Sequence, residues 1–234
     1  MLNYNIAVVF PGQGSQSIGM LKDYAEEWEQ VQQTFQQASE VLGYDLWDIV
    51  SNGPEEKLNQ TEITQPAMLA ADVAIIRILS QQCMIKPYAL AGHSLGEYAA
   101  LVGANVLDFE DAIKLVAERG RLMQNAVPEG EGAMAAIIGL SDDQVILGCK
   151  EAEAQAGQPV EPVNFNSPGQ IVIAGATAAV DKAIEMLSEE GAKRAMKLPV
   201  SVPSHSSLMK PAADEMAKVL ANVEFNTPDI QVIH

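Results

Sequence analysis

One serine stands out as a residue that could do chemistry. Ser94 lies in the pattern Gly-His-Ser-Leu-Gly at 92–96, after an apolar run at 88–91 and before a helix-forming run at 97–102. A sharp strand-to-helix turn lifts such a serine hydroxyl out of the backbone, and the flanking glycines let the strand and the helix approach closely. Free N–H groups at the helix start favour negative charge there. The pattern predicts a nucleophilic serine, with a tight turn and an N-capping serine as the alternative.

A serine nucleophile needs a base, and the sequence contains three histidines. His93 adjoins Ser94, and in an extended approach its side chain would point away from the serine. His234 is the last residue. His205 follows Ser94 in the order of α/β serine enzymes and lies in a loop before a predicted helix, so we predict it as the base. A solvent-exposed histidine without a catalytic role is the alternative. The aspartates fit helix caps and first turns, so a Ser–His dyad is expected.

Two further features could contribute to a site. The stretch Gly-Gln-Gly-Ser-Gln at 12–16 follows a predicted buried strand at 6–10, but it lacks the third glycine of the dinucleotide fingerprint and the lysine of a P-loop. Its exposed N–H groups could still bind an oxyanion. Arg119 lies in the middle of an apolar helical segment. Composition favours a side chain that snorkels to the surface over one that pairs with a carboxylate.

The composition limits the classes of function. With 48% apolar and 19% charged residues among 234, the chain should form a packed globule. A net charge of −17 argues against nucleic acid and anionic membrane surfaces as partners. Cys83 and Cys149 are far apart, so we expect buried thiols rather than a disulfide framework or a zinc site. No signal-peptide pattern and no apolar run of membrane-spanning length are evident, which predicts a cytoplasmic protein.

The order of predicted elements indicates an α/β fold with two domains. Residues 1–128 and 199–234 are predicted to form a large α/β-hydrolase-like domain with a parallel sheet. Residues 129–198 read as βαββαβ, the ferredoxin-like pattern, inserted into the larger domain. A long apolar helix is predicted over 64–84, with Pro66 in its first turn, where proline is tolerated. Because the last predicted strand, 230–233, reaches the end of the sequence, we expect the large domain to be incomplete.

Several motifs occur together in the order found in one known family. They are Gly12-Gln13-Gly14-Ser15-Gln16, Gly92-His93-Ser94-Leu95-Gly96-Glu97-Tyr98, Arg119-Gly120, Asn164-Phe165-Asn166-Ser167-Pro168-Gly169-Gln170 and Pro203-Ser204-His205. The chain resembles the bacterial malonyl-CoA:acyl carrier protein transacylases of type II fatty acid synthesis over its whole length. Members of that family normally continue further, so the resemblance also implies a poorly oriented base and exposed apolar surface.

The resemblance implies a role for each matching residue. By this resemblance, Ser94 is the nucleophile and His205 the general base. The N–H groups of Gln13 and Leu95 form the oxyanion hole, and Arg119 binds the malonyl carboxylate. Gln65 and Asn164 lie near the site. For Arg119 this opposes the preference for snorkelling. The resemblance implies malonyl-CoA as substrate, acyl carrier protein as partner, no metal or other cofactor, and a cytoplasmic monomer. A serine acyl hydrolase and an inactive truncated fragment that keeps a carrier-protein surface are the alternatives.

One stretch of the chain departs from its acidic character. Residues 191–210 contain four basic residues and no acidic one, namely Lys193, Arg194, Lys197 and Lys210. Because the carrier proteins of this pathway are acidic, we predict that this stretch docks them. An ordinary basic strand and helix start is the alternative.

Overall fold

The structure, a computed structural model, describes residues 6–82, 87–200 and 202–234. Its helices and strands follow in this order: β1 (Ala7–Phe10), α1 (Lys22–Glu27), α2 (Glu29–Leu42), α3 (Leu46–Asn52), α4 (Glu55–Leu58), α5 (Thr61–Gln82), β2 (Ala89–Gly92), α6 (Gly96–Gly103), α7 (Phe109–Ala126), β3 (Gly132–Ile138), α8 (Asp142–Ala156), β4 (Val160–Ser167), β5 (Gln170–Ala176), α9 (Thr177–Glu189), β6 (Arg194–Lys197), a 3₁₀ turn (Ser207–Met209), α10 (Lys210–Leu220) and β7 (Gln231–Ile233).

The chain forms two compact units, and their borders differ from the predicted 128 and 199. The first unit contains Met1–Arg121 and Lys218–His234, and the second contains Leu122–Ala217. The second unit takes in the end of α7 and most of α10 because their apolar side chains share one buried cluster. The buried members of this cluster are Met123, Val202, Met209 and Ala212.

The first unit contains the predicted parallel sheet. Its described strands lie in the order β1-β2-β7, and each neighbouring pair is parallel. β2 is central, and its residues Ala89 and Leu90 are buried. In such sheets the loops that follow the carboxyl ends of the strands form the sites. The loops after β1 and β2 both carry predicted site residues.

Helix α5 forms much of the core of the first unit, and it corrects two predictions. It begins at Thr61, so Pro66 lies inside the helix and not in its first turn. Its length and hydropathy would also suffice to cross a membrane, contrary to the prediction that no such run exists. However, 67% of this segment is buried inside the protein, as in the core helix of a water-soluble protein. Cys83, near the predicted end of this helix, lies outside the described residues.

The second unit has the predicted ferredoxin-like order of elements. Its four strands form an antiparallel sheet in the order β4-β5-β3-β6, so that β4 and β6 are the edge strands. Ser141 caps α8 as predicted, and Gln144 completes a capping box. Cys149 is a buried free thiol, as predicted, and burial raises its pKa to about 12, with smaller contributions from Glu153 and Glu161.

A half-buried carboxyl group, that of Asp72, lies in α5. Among the described residues, nothing forms a hydrogen bond with Oδ2 of Asp72, although this atom is shielded from solvent. Burial raises the pKa of Asp72 from 3.8 to about 7, because the charged form loses its hydration. The folded protein therefore retains a proton that the unfolded chain releases between these two pH values. Its stability should fall as the pH rises through this range.

Replacement of this carboxyl by an amide should remove that pH dependence. We expect Asp72→Asn to stabilise the protein relative to the wild type by about 2–4 kcal/mol more at pH 8 than at pH 4, since ionisation no longer opposes folding. Urea unfolding at both pH values measures the difference. Asp23→Asn, which makes the same chemical change at an exposed position in α1, is the control. An equal effect of Asp72→Asn at the two pH values would contradict the interpretation.

Candidate active site

The turn between β2 and α6 has the geometry of a nucleophile elbow. Ser94 has a φ of 54°, in the left-handed region that residues other than glycine seldom occupy. A Cβ atom at Gly92 would lie 2.0 Å from the carbonyl carbon of Gly96, and one at Gly96 would lie 2.3 Å from the carbonyl oxygen of Phe10. These separations are far below van der Waals contact. Both glycines are therefore required by the close approach of β1, β2 and α6.

The loop after β1 lies against this elbow. The N–H of His93 donates to the carbonyl of Phe10 at 3.0 Å, and a Cβ atom at Gly12 would lie 2.7 Å from the carbonyl oxygen of His93. Within the described part of the chain, the backbone N–H groups of Gln13 and Leu95 have no hydrogen-bond acceptor. These two groups, predicted as oxyanion donors, are therefore available to a ligand.

The guanidinium of Arg119 turns inward to the serine, so the prediction from composition that it snorkels was wrong. Nη1 donates to Oε1 of Gln65 at 2.7 Å, and Nη2 donates to Oγ of Ser94 at 3.1 Å. Gln65 is completely buried. The guanidinium carbon lies 5.9 Å from the centre of the Tyr98 ring, a distance typical of a cation–π contact.

The surroundings of Arg119 make its charge costly to leave without a partner. Burial lowers the pKa of the guanidinium, while the nearby Tyr98 and Glu97 raise it by smaller amounts. Arginine remains protonated because its ordinary pKa is far above neutrality. The lowered pKa therefore reports lost hydration, which an anionic ligand would compensate.

The first turn of α5 joins these parts of the site. Nε2 of Gln13 donates to Oγ1 of Thr61 at 3.2 Å, and the same turn carries Gln65, the partner of Arg119. The hydroxyl of Thr64 donates to the carbonyls of Leu58 at 2.5 Å and Gln60 at 3.0 Å. Sequence reasoning missed Thr61. The signal available was a cluster of uncharged polar residues at the start of an otherwise apolar helix.

His205 belongs to the second unit, where it occupies a turn before the 3₁₀ helix, as predicted. Its φ is 65°, and its side chain is exposed. The turn is held by a bond from the N–H of Ser204 to the carbonyl of Val202 (2.8 Å) and by one from Oγ of Ser206 to the carbonyl of Pro203 (2.7 Å). Among the described residues, four non-glycine positions have a left-handed φ, and these include both Ser94 and His205. Such strain clusters at functional sites.

The remaining predicted residues divide between the two units. Asn164 is half-buried in β4, opposite Val172 of β5 and between two register shifts. The first unit therefore brings together Ser94, Arg119 and Gln65 with the loop of Gln13 and the amide of Leu95. His205 and Asn164 lie in the second unit.

The other two histidines have different surroundings. Nδ1 of His234 lies 2.7 Å from Oε1 of Glu97, which immediately follows the elbow. His93 is exposed. In the described ranges, no group of three or more histidine, cysteine, aspartate or glutamate side chains is arranged to hold a metal ion.

Known proteins share this arrangement of elements. The acyl transferase domain family matches residues 7–234. The malonyl CoA-acyl carrier protein transacylase of Haemophilus influenzae is 60% identical over 229 residues, which are 97% of this chain and 73% of that relative. The corresponding enzyme of Escherichia coli K12 is 57% identical over 228 residues, with the same two shares.

Solved structures agree with the sequence comparison. An acyl carrier protein S-malonyltransferase from Vibrio cholerae gives a TM-score of 0.93 at 61% identity, covering 99% of this chain and 75% of that one. A malonyl-transacylase in complex with a type II polyketide synthase acyl-carrier protein gives 0.95 at 57% identity, covering 97% and 73%. These matches confirm the predicted α/β fold and the resemblance that the motifs indicated. This chain, with Ser94 on its elbow, belongs to the acyl transferase family.

Proposed function

We propose that this chain transfers the malonyl group from malonyl-CoA to the phosphopantetheine thiol of an acyl carrier protein, for fatty acid biosynthesis. A malonyl ester on Ser94 is the intermediate. The observation that carries the proposal is the 3.1 Å contact between Oγ of Ser94 and Nη2 of Arg119. A nucleophile beside a desolvated cation suits an acyl group that has a carboxylate close to its carbonyl. The names of the relatives at 57–61% identity support the same reaction.

The first half-reaction forms the malonyl ester. Oγ of Ser94 attacks the thioester carbonyl carbon while His205 accepts the hydroxyl proton. The N–H groups of Gln13 and Leu95 stabilise the oxyanion of the tetrahedral intermediate, a contribution of roughly 3–4 kcal/mol for one donor in comparable sites. The C–S bond then breaks, and the CoA thiolate takes the proton from His205.

The second half-reaction reverses these steps with another thiol. The carrier-protein thiol gives its proton to His205 and attacks the ester carbonyl. The bond to Oγ of Ser94 breaks, and His205 returns the proton to the serine. Both half-reactions move only an acyl group and a proton, so we propose that no metal and no cofactor other than the CoA substrate takes part. We further propose a cytoplasmic monomer, in keeping with the free thiol of Cys149.

Arg119 supplies the selectivity for malonyl. The malonyl carboxylate pairs with the guanidinium, whose hydration is already reduced by burial. An acyl group without a distal carboxylate leaves that charge without an anionic partner, which disfavours its transition state. The neutral amide oxygen of Gln65 accepts a hydrogen bond from Nη1 of the guanidinium. It orients the cation without neutralising it.

The basic stretch at 191–210 is the surface that we propose for the carrier protein. Among the described residues, Lys193 and Arg194 have no ion-pair partner, and both are exposed at the start of the edge strand β6. Lys197 pairs with Asp181 at 2.7 Å, and Lys210 pairs with Asp214 at 2.6 Å. Exposed ion pairs of this kind are weak and can exchange partners. Lys193 and Arg194 should therefore contribute most to docking, with Lys197 and Lys210 in support.

Intact-mass measurement after mixing with malonyl-CoA tests the intermediate and its base. The wild type should gain one malonyl group, and Ser94→Ala should gain none. His205→Ala should form the adduct roughly 10²–10⁴-fold more slowly, because a general base contributes about that much. His93→Ala and His234→Ala are the matched controls and should acylate within a few-fold of the wild-type rate.

Each other outcome of this experiment has a defined meaning. If His205→Ala acylates at the normal rate while His93→Ala or His234→Ala acylates slowly, the general base is the histidine whose replacement slows the reaction, and not His205. Adduct on Ser94→Ala would contradict the proposed nucleophile. Addition of acyl carrier protein should convert the adduct into malonyl-carrier protein. Release of free malonate instead would indicate a serine acyl hydrolase, and a folded wild type without adduct would contradict the proposed transfer.

A charge placed at position 65 tests the role of Arg119. Gln65→Glu should form an internal ion pair with Arg119 and lower kcat/KM for malonyl-CoA roughly 10–100-fold, because the cation is no longer free to bind the substrate carboxylate. Transfer from acetyl-CoA should not fall. Gln65→Leu, a neutral variant of similar size, removes the acceptor without adding a charge, so it should lower the malonyl-CoA value selectively but by less than Gln65→Glu does. A loss shared equally by the two substrates in both variants would assign Gln65 a structural role only.

Charge reversal tests the docking surface. The double variant Lys193→Glu/Arg194→Glu should slow transfer to acyl carrier protein about tenfold or more at low salt and leave acylation by malonyl-CoA unchanged, since complementary charge mainly accelerates association. The control Lys150→Glu/Lys182→Glu, on α8 and α9, changes the net charge equally. Equal slowing by both double variants, or of both half-reactions, would indicate that Lys193 and Arg194 only protect an exposed sheet edge.

A further inference from the structure

We infer that Gly120 is a positioning residue that sets the selectivity for malonyl by letting α7 lie directly against the first turn of α5. The inference rests on the proposed function, because it acts through Arg119. Gly120 is buried in the middle of α7 and immediately follows Arg119 in the chain. Glycine is among the least favourable residues for a helix interior. Its presence here therefore calls for a packing reason.

The packing reason is a backbone-to-backbone contact. A Cβ atom at Gly120 would lie 2.7 Å from Cα of Glu62, 2.7 Å from the carbonyl oxygen of Thr61 and 3.0 Å from the nitrogen of Glu62. All three are main-chain atoms of one helical turn, so no side-chain rotation can make room. Ordinary contact between carbon atoms requires about 3.5 Å. Any side chain at position 120 must therefore push α7 and α5 apart by about 0.8 Å.

Such a separation is large on the scale of the contacts of Arg119. The turn that Gly120 touches also carries Gln65, whose Oε1 accepts from Nη1 of Arg119 at 2.7 Å. If the helices moved apart by about 0.8 Å without compensation, this distance would reach about 3.5 Å, beyond hydrogen-bond range. The arginine would then have to abandon Gln65 or change its approach to Ser94. The contact between α7 and α5 at Gly120 thus determines the position of the Arg119 guanidinium relative to Oγ of Ser94.

Two other helical glycines, Gly148 and Gly103, have side chains and not backbone as their nearest neighbours. A Cβ atom at Gly148 in α8 would meet the side chain of Leu187, 2.5 Å from its Cδ2, and one at Gly103 would meet Cδ1 of Ile76 at 2.7 Å. A side chain can rotate to make room, whereas the backbone of α5 makes room only if the two helices separate. Gly148→Ala is therefore the control, because it makes the same change inside a helix of the second unit, where the nearest neighbour is a side chain.

Steady-state kinetics with two substrates test the inference. We expect Gly120→Ala to lower kcat/KM for malonyl-CoA about tenfold or more and to leave kcat/KM for acetyl-CoA within about twofold of wild type. Gly148→Ala should not change the ratio of the two substrates. In an Arg119→Ala background, Gly120→Ala should have no further effect on the malonyl value, because its action passes through the arginine. A merely structural role would lower both values equally in both backgrounds and would overturn the inference.

The same set of variants separates this inference from the proposed function. If Arg119→Ala keeps the wild-type preference for malonyl-CoA, the proposed role of Arg119 fails. If Arg119→Ala loses the preference while Gly120→Ala keeps it, only the positioning role of Gly120 fails. If Gly120→Ala does not fold, Gln65→Asn is the substitute. It moves the amide oxygen away from Arg119 by one carbon–carbon bond, about 1.5 Å, as a separation of α5 from α7 would. It should give the same selective loss, and an unchanged preference in Gln65→Asn would overturn the inference.

Discussion

The absence of space around Ser94 is the constraint on which the rest of the first unit depends. A Cβ atom at residue 96 would lie only 2.3 Å from the carbonyl oxygen of Phe10, and one at residue 92 only 2.0 Å from the carbonyl carbon of Gly96. β1, β2 and α6 can meet this closely only without side chains at these points. Between these glycines Ser94 has a left-handed conformation, and its hydroxyl accepts a hydrogen bond from Nη2 of Arg119. The same packing brings the loop after β1, which carries the N–H of Gln13, beside the elbow.

A second backbone-to-backbone contact, between α7 and α5, keeps the guanidinium of Arg119 beside Ser94. α7 meets the first turn of α5 at Gly120, and that turn presents Gln65 to Arg119 and Thr61 to Gln13. The site of the first unit is thus built from backbone approaches that are bridged by uncharged polar side chains. The hydrogen-bond partners of Arg119 are neutral, and the nearby Tyr98 and Glu97 offset only part of the effect of burial, so its charge is only partly compensated. Because the guanidinium is buried and has lost hydration, an anionic ligand gains more binding free energy here than it would at an exposed arginine.

Local sequence patterns determined much of the architecture. The elbow at 92–96, the cap at Ser141, the order βαββαβ and the buried thiol of Cys149 were all predicted correctly, because each depends on residues that are neighbours in the chain or on simple apolar periodicity. Ser94 and the turn of His205 were found in the same way. The joint presence of several motifs indicated the family, which the comparisons confirmed.

Only the tertiary structure decided the direction of Arg119, the position of Pro66 inside α5 and the borders of the two units. The direction of Arg119 and the borders of the units depend on partners distant in sequence, whereas the position of Pro66 depends on where α5 begins. Whether an arginine in an apolar helix turns outward or inward is set by what lies opposite it, here Gln65 and Ser94, separated from it by 54 and 25 residues. Periodicity identifies a buried face of α7 but not the helix that covers it. A helical pattern alone therefore cannot show that the backbone of Glu62 requires a glycine at position 120. Nor can it show that this glycine determines the position of the Arg119 guanidinium relative to Ser94.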